Sequence, residues 1–210
     1  MEGKIKLTKT YRYFTHGDPE KAEHIWIVLH GYGQLAEFFI RKFRSLDDNH
    51  FIIAPEGMHR FYLQGTSGRV GASWMTKEAR LDDIEDNHLF LDELVGQFTS
   101  KYTFQKRTIL GFSQGGATAS RWHQRNSFNA DNLILWACVF PPDLESSYSS
   151  PVFQGSKNYF VLGKQDEYFQ EKYYDIIKTY KDQLPNLSIR EFEGPHNIDQ
   201  ETLISISKEL

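Results

Sequence analysis

Thr108-Ile109-Leu110-Gly111-Phe112-Ser113-Gln114-Gly115-Gly116-Ala117-Thr118-Ala119 runs from a β-type apolar segment, through Gly-x-Ser-x-Gly, into the start of a small-residue helix. A serine in this context sits on a strained strand-to-helix turn that exposes its Oγ. Gly111 and Gly115 keep side chains from crowding the turn, and the helix N-terminus favours negative charge developing beside it. The five-residue pattern is weak alone; the strand before it and the helix after it make Ser113 the candidate nucleophile.

Outward from this turn the chain alternates between two kinds of segment. Ile25 to Leu29, Phe51 to Ala54, Thr108 to Gly111, Leu133 to Val139 and Tyr159 to Leu162 are short, nearly continuous apolar runs, as expected of parallel strands covered on both faces. Ser188 to Phe192 reads as a weaker strand, and Ile5 to Tyr13 alternates like a half-buried edge strand. Between them, Leu35 to Leu46, Glu78 to Tyr102, Gln114 to Gln124, Tyr168 to Leu184 and Gln200 to Lys208 carry helical spacing. Alternation of this kind predicts an α/β fold: a doubly wound, mostly parallel sheet with helices on both faces and functional residues beyond the strands' carboxyl ends. The one long irregular stretch, from Pro55 to about Thr76, contains Gly57, Gly65, Gly68 and Gly71 and reads as a functional loop over the site. No linker or repeat divides residues 1–210, which read as one domain without a separate lid.

A serine hydroxyl needs a base to take its proton and a carboxylate to orient that base. On an elbow of this type the chain order is serine, acid, histidine. Only His123 and His196 follow Ser113. His123 lies nearly three turns along the helix that Ser113 opens, pointing away from the turn, which leaves His196 in the turn Glu193-Gly194-Pro195-His196-Asn197-Ile198. Asp166, in Gly163-Lys164-Gln165-Asp166-Glu167 after a strand, is the favoured acid, with Glu167 and Asp143 as rivals. Oxyanion donors are expected from the amide after the nucleophile, Gln114, and from Tyr32 in the early loop His30-Gly31-Tyr32-Gly33-Gln34. Trp74 and Phe140 are expected to wall an apolar acyl site.

Composition narrows the partners. The 210 residues carry a net charge of -4, so no basic field draws nucleic acid or anionic lipid, and no apolar run is long enough to span a bilayer. The N-terminus lacks the apolar region of a signal peptide, and the one cysteine, Cys138, can form no internal disulfide; both fit a cytoplasmic setting. Cys138 lies inside the apolar run Leu133 to Phe140, where a thiol acts as a small buried hydrophobe.

These motifs resemble the phospholipase/carboxylesterase family of α/β-hydrolases, which includes acyl-protein thioesterases and small bacterial esterases. Leu29-His30-Gly31-Tyr32-Gly33 is similar to its oxyanion loop, and Ala54-Pro55-Glu56-Gly57 with Ser73-Trp74 to its long lid-side segment. Gly111 to Gly116 matches its elbow, Gly163 to Asp166 its acid loop and Gly194 to Ile198 its histidine loop. The resemblance implies the α/β-hydrolase fold, no cofactor or metal, a Ser113-Asp166-His196 triad, and a small ester or thioester as substrate. Three departures bear on substrate: Gln34 replaces the usual Asp, Ala137-Cys138 stands for a Ser-Gly pair, and Tyr168-Phe169 for a small apolar residue and proline.

The expected activity is carboxylic ester hydrolysis. Thioesterase or lysophospholipase activity on longer acyl chains is the nearest alternative, and a non-catalytic binder on a hydrolase fold the more distant one. The acidic run Asp82, Asp83, Glu85, Asp86 with His88 lacks a metal motif and reads as a solvated helix start. A homodimer is compatible with the sequence.

Overall fold

The computed structural model describes residues 3–169, 173–184 and 186–210. In chain order the elements are β1 (Tyr13–His16), β2 (His24–Leu29), α1 (Ala36–Phe39), β3 (His50–Pro55), β4 (His59–Tyr62), β5 (Val70–Ser73), α2 (Arg80–Thr99), β6 (Lys106–Phe112) and α3 (Gln114–Arg125). There follow β7 (Asn132–Trp136), α4 (Pro151–Gly155), β8 (Lys157–Gly163), α5 (Tyr173–Gln183), β9 (Leu187–Phe192) and α6 (Gln200–Glu209).

Seven strands form one sheet in the order β1-β3-β2-β6-β7-β8-β9, parallel throughout except for β1, which runs antiparallel to β3. Successive strand residues point to opposite faces, so the full burial of Ile25, Trp26, Ile27, Val28 and Leu29 means that both faces of β2 are covered. The expected doubly wound α/β architecture is therefore present. The crossover at β2 and β6 sets the carboxyl ends of these two central strands side by side, with Leu29 opposite Gly111. The loop after β2 thus meets the elbow after β6.

Three local readings change. The edge strand expected over Ile5 to Tyr13 occupies Tyr13–His16 instead, while Ile5 and Leu7 are about 80% exposed. Its partner explains the shift: Tyr13 pairs with Pro55, the last residue of β3, and beyond Glu56, whose N–H donates to the Arg12 carbonyl, no strand remains to pair with. The expected helix over Leu35 to Leu46 is a short α1 followed by a 3-10 turn, Ile40–Phe43. The Pro55 to Thr76 stretch is built around the antiparallel hairpin β4–β5, bridged to the early loop by Gln34 and Ala72. Of the helix expected from Tyr168 to Leu184, residues 170–172 lie outside the described residues, and α5 spans Tyr173–Gln183.

Candidate active site

Ser113 has φ 52° and ψ −121°, a backbone conformation that costs a non-glycine residue strain and that only a rigid surround sustains. The surround is visible atom by atom. A Cβ on Gly111 would stand 2.5 Å from Gly116 Cα, and one on Gly115 would stand 2.6 Å from the His30 carbonyl oxygen. Both neighbours are backbone and cannot yield. The Ser113 amide donates to the Trp136 carbonyl (2.9 Å), locking the turn to β7.

The early loop passes directly over this turn. A Cβ on Gly31 would lie 3.2 Å from Ser113 Cβ. Among the described residues, the amides of Tyr32 and Gln114 donate to nothing, although Gln114 opens α3 where an N–H has no helical acceptor. The loop is held from three sides. Gly31 N–H donates to Gln34 Oε1 (3.0 Å), Gly33 N–H to the Ala72 carbonyl (2.9 Å), and Ala72 N–H to the Gln34 carbonyl (3.0 Å). Beneath it, His30 is fully buried and accepts from Gly57 N–H at Nε2 (3.0 Å), so its proton sits on Nδ1 beside the Gly31 carbonyl. Burial lowers its pKa to about 4, so the ring is neutral. The Gln114 side chain adds a further tie, accepting from Trp74 N–H (3.1 Å) and donating to the Met75 carbonyl (3.0 Å).

Across the cavity, His196 Nδ1 donates to Asp166 Oδ2 at 2.7 Å. The Asp166 carboxylate is fully buried, and its other oxygen accepts from Tyr168 N–H (3.0 Å). This bond holds the proton on Nδ1 and leaves Nε2 of His196 with a free lone pair. The imidazole is bracketed by the rings of Phe112 and Tyr168, with centroids 4.8 Å and 4.7 Å away. The acid and histidine loops are laced together by Lys164 N–H to the Phe192 carbonyl (2.9 Å) and Gln165 N–H to the Gly194 carbonyl (3.0 Å). A third set of contacts anchors the histidine loop to the region after α1: Lys42 Nζ donates to Asn197 Oδ1 (2.6 Å), and Ser45 Oγ to Gln200 Oε1 (2.7 Å).

Ser113 and His196 line one cavity of about 520 Å3, together with Tyr32, Gln34, Gln114, Val139, Tyr168 and Phe169. Of the rival acids, Asp143 is engaged elsewhere: its carboxylate takes a bidentate contact from Arg121 (2.7 and 2.8 Å), which holds its pKa low. Glu167 is exposed. The expected apolar wall differs from what is found. Trp74 is fully buried, turned into the core because its indole N–H donates to the His30 carbonyl (2.8 Å), and it does not line the cavity. Phe140 does not line it either, packing instead on Tyr148 and Tyr180. Val139, Tyr168 and Phe169, with Phe112, Ala117, Ala137 and Cys138, supply the apolar lining. Gln34, Ala137-Cys138 and Tyr168-Phe169, the three departures expected to bear on substrate, all face this cavity, whereas Val139 could not be assigned such a place from residue type. Cys138 is buried with its thiol pKa pushed up by desolvation.

The acidic run on α2 is dispersed among separate partners. Asp82 meets Lys4 (2.7 Å) and Glu85 meets Arg125 (3.1 Å), while Asp83 is buried and accepts from Thr76 N–H (3.2 Å). Among the described residues no helix is long and apolar enough to cross a membrane.

No family model and no curated protein sequence matches the chain. Solved structures do. Acyl-protein thioesterase 2 of Zea mays superposes with a TM-score of 0.72 at 17% identity, covering 94% of this chain and 96% of its own. A carboxylesterase from Mesorhizobium loti gives 0.72 at 13% identity, over 95% of both chains. A phospholipase/carboxylesterase from Dyadobacter fermentans gives 0.64 at 16%, over 97% of both. Likeness at such low identity concerns architecture, and with the sheet order and elbow described above it establishes that the chain has the α/β-hydrolase fold.

Proposed function

We propose that this chain is a serine hydrolase that cleaves carboxylic esters through Ser113, His196 and Asp166, with the amides of Tyr32 and Gln114 as oxyanion hole. The observation that carries this reading is that a strained Ser113 opens on the same cavity as a histidine whose Nδ1 is held by a buried carboxylate. His196 Nε2 takes the Ser113 proton as Oγ attacks the substrate carbonyl. The two amides, which have no partner among the described residues, stabilise the oxyanion. The imidazolium, steadied by Asp166, returns its proton to the leaving group, and the same residues then activate water against the acyl-enzyme. Oxygen esters and thioesters share every step up to the departure of the leaving group. The esterase and thioesterase titles of the superposing structures agree with this class of reaction.

The test is hydrolysis of p-nitrophenyl esters from short to long acyl chains by wild type, Ser113→Ala and His196→Ala. Each substitution is expected to lower kcat by roughly 10,000-fold or more. A folded wild type that turns over no ester or thioester, and whose Ser113 takes no fluorophosphonate, would defeat the reading in favour of a binding protein.

A further inference from the structure

Gln34 lines the Ser113 cavity and also a second hollow of about 530 Å3 beside it. Leu35, Phe38 and Val70 give this hollow an apolar surface, and Lys42 and Arg69 bring two cations to it. No carboxylate is among its lining residues.

Three nearby cations are ion-paired. Arg12 and Arg60 meet Glu56 (3.6 and 3.1 Å), and Arg41 meets Glu37 (3.5 Å). Lys42 and Arg69 differ. Among the described residues neither forms an ion pair, and the acceptor of Lys42 Nζ is the neutral side-chain amide of Asn197, next to His196. Half-buried, the Lys42 ammonium has lost water without gaining a counter-ion, and burial lowers its pKa. On a chain with a net charge of -4, two uncompensated cations over an apolar surface form a site complementary to an amphiphilic anion.

We propose that this hollow is a specificity subsite for an ester bearing a terminal carboxylate, whose apolar stem lies on Leu35, Phe38 and Val70 and whose charge is met by Lys42 and Arg69. The proposal rests on the ester-hydrolase reading and names its substrate class. Gln34, standing at the junction of the two cavities, marks where the stem leaves the reacting carbonyl.

The experiment compares matched substrates. One series sets p-nitrophenyl monoesters of dicarboxylic acids with six to ten carbons against the alkanoates of equal length; the other sets ω-carboxyalkyl butyrates against alkyl butyrates. In one series the carboxylated-to-neutral ratio of kcat/KM is expected to exceed about 10 at its best length. That ratio is expected to fall about threefold to tenfold in Arg69→Gln and in Lys42→Met, and to shrink with added salt. Because Lys42 also holds Asn197, the variant Asn197→Ala, which keeps the charge and removes the contact, is expected to retain the preference. A ratio near or below one in both series, or a ratio that both charge removals leave unchanged, would overturn the proposal. If no ester is turned over at all, the hydrolase reading fails by itself, and the hollow is judged by thermal protection. Suberate should then raise Tm more than octanoate, and less so in Arg69→Gln; equal shifts would overturn the subsite.

Discussion

On the nucleophile side of the cavity, geometry is enforced by backbone against backbone, Gly111 on Gly116 and Gly115 on the carbonyl of His30, with Gly31 close over the side chains of Phe112 and Ser113. On the base side, Asp166 and His196 are held by one hydrogen bond to each other, one to Tyr168 N–H, and the tilted and edge-on rings of Phe112 and Tyr168. The first side resists change because excluded volume is unforgiving, and so does the root of the second, where a Cβ on Gly163 would stand 2.3 Å from the Gly194 carbonyl oxygen. The side chains of Asp166 and His196 themselves are specified by a few directional contacts, which fix chemistry more than shape. Added bulk at the elbow glycines should therefore unfold the protein, whereas chemical changes at Asp166 and His196 should silence it.

Acid should separate the two sides most strongly, because the two histidines whose pKa burial pushes down to about 4, His30 and His123, belong to the nucleophile side. Each pKa is lowered from 6.5 to about 4, so the unfolded chain binds protons that the folded chain refuses. Stability is then full above pH 6.5, falls as pH drops, and levels near pH 4, with each ring costing on the order of 3 kcal/mol by the end of that window. Together they approach the whole stability of a typical domain. Denaturant unfolding at pH 7 and 4.5 checks this, and a flat profile would contradict it. Asp166→Asn should lower kcat by about 10,000-fold, because the amide favours the wrong tautomer of His196, while the circular dichroism stays that of wild type. Loss of fold instead of turnover would erase the distinction drawn here. Gly115→Ala should do the reverse, costing about 3 kcal/mol of stability, because its Cβ meets two carbonyl groups that cannot move. Full thermal stability in that variant would show the elbow to be softer than its contacts. Smallest is Gln34→Leu, which strips Gly31 N–H of its acceptor: about 1–2 kcal/mol in stability and roughly a tenfold drop in kcat, measured on the same ester. An unchanged kcat would mean that the hairpin alone holds the loop.

The same division explains what could be read from the sequence. Backbone crowding is written in glycine, so the Ser113 turn and its central strands are plain in Gly-x-Ser-x-Gly and the apolar run before it. Of the proposed triad, His196 is legible by elimination and Asp166 by its place after β8, and the bond to His196 is what favours it over Asp143 and Glu167. Contacts between side chains and backbone leave no such trace. Gln34 as acceptor for Gly31 could not be anticipated, because a glutamine's reach depends on the loop path. Trp74 is an aromatic whose size foretells burial but not direction; the carbonyl of His30 turns it away from the cavity. The β4–β5 hairpin is hidden by a glycine-rich turn, and Ile5 to Tyr11 alternates without a strand to receive it.

Lys42 meets Asn197, and Ser45 meets Gln200, across 155 residues of chain in each case. A contact of such separation leaves its early partner waiting in the growing polypeptide until the late one is made. At ribosomal speeds of about 5–20 residues per second, roughly 10 to 30 seconds pass between the appearance of residue 42 and that of residue 197. From residue 113 onward within that interval the nascent chain has its serine but not its histidine, so the proposed hydrolysis can begin only after His196 has been made.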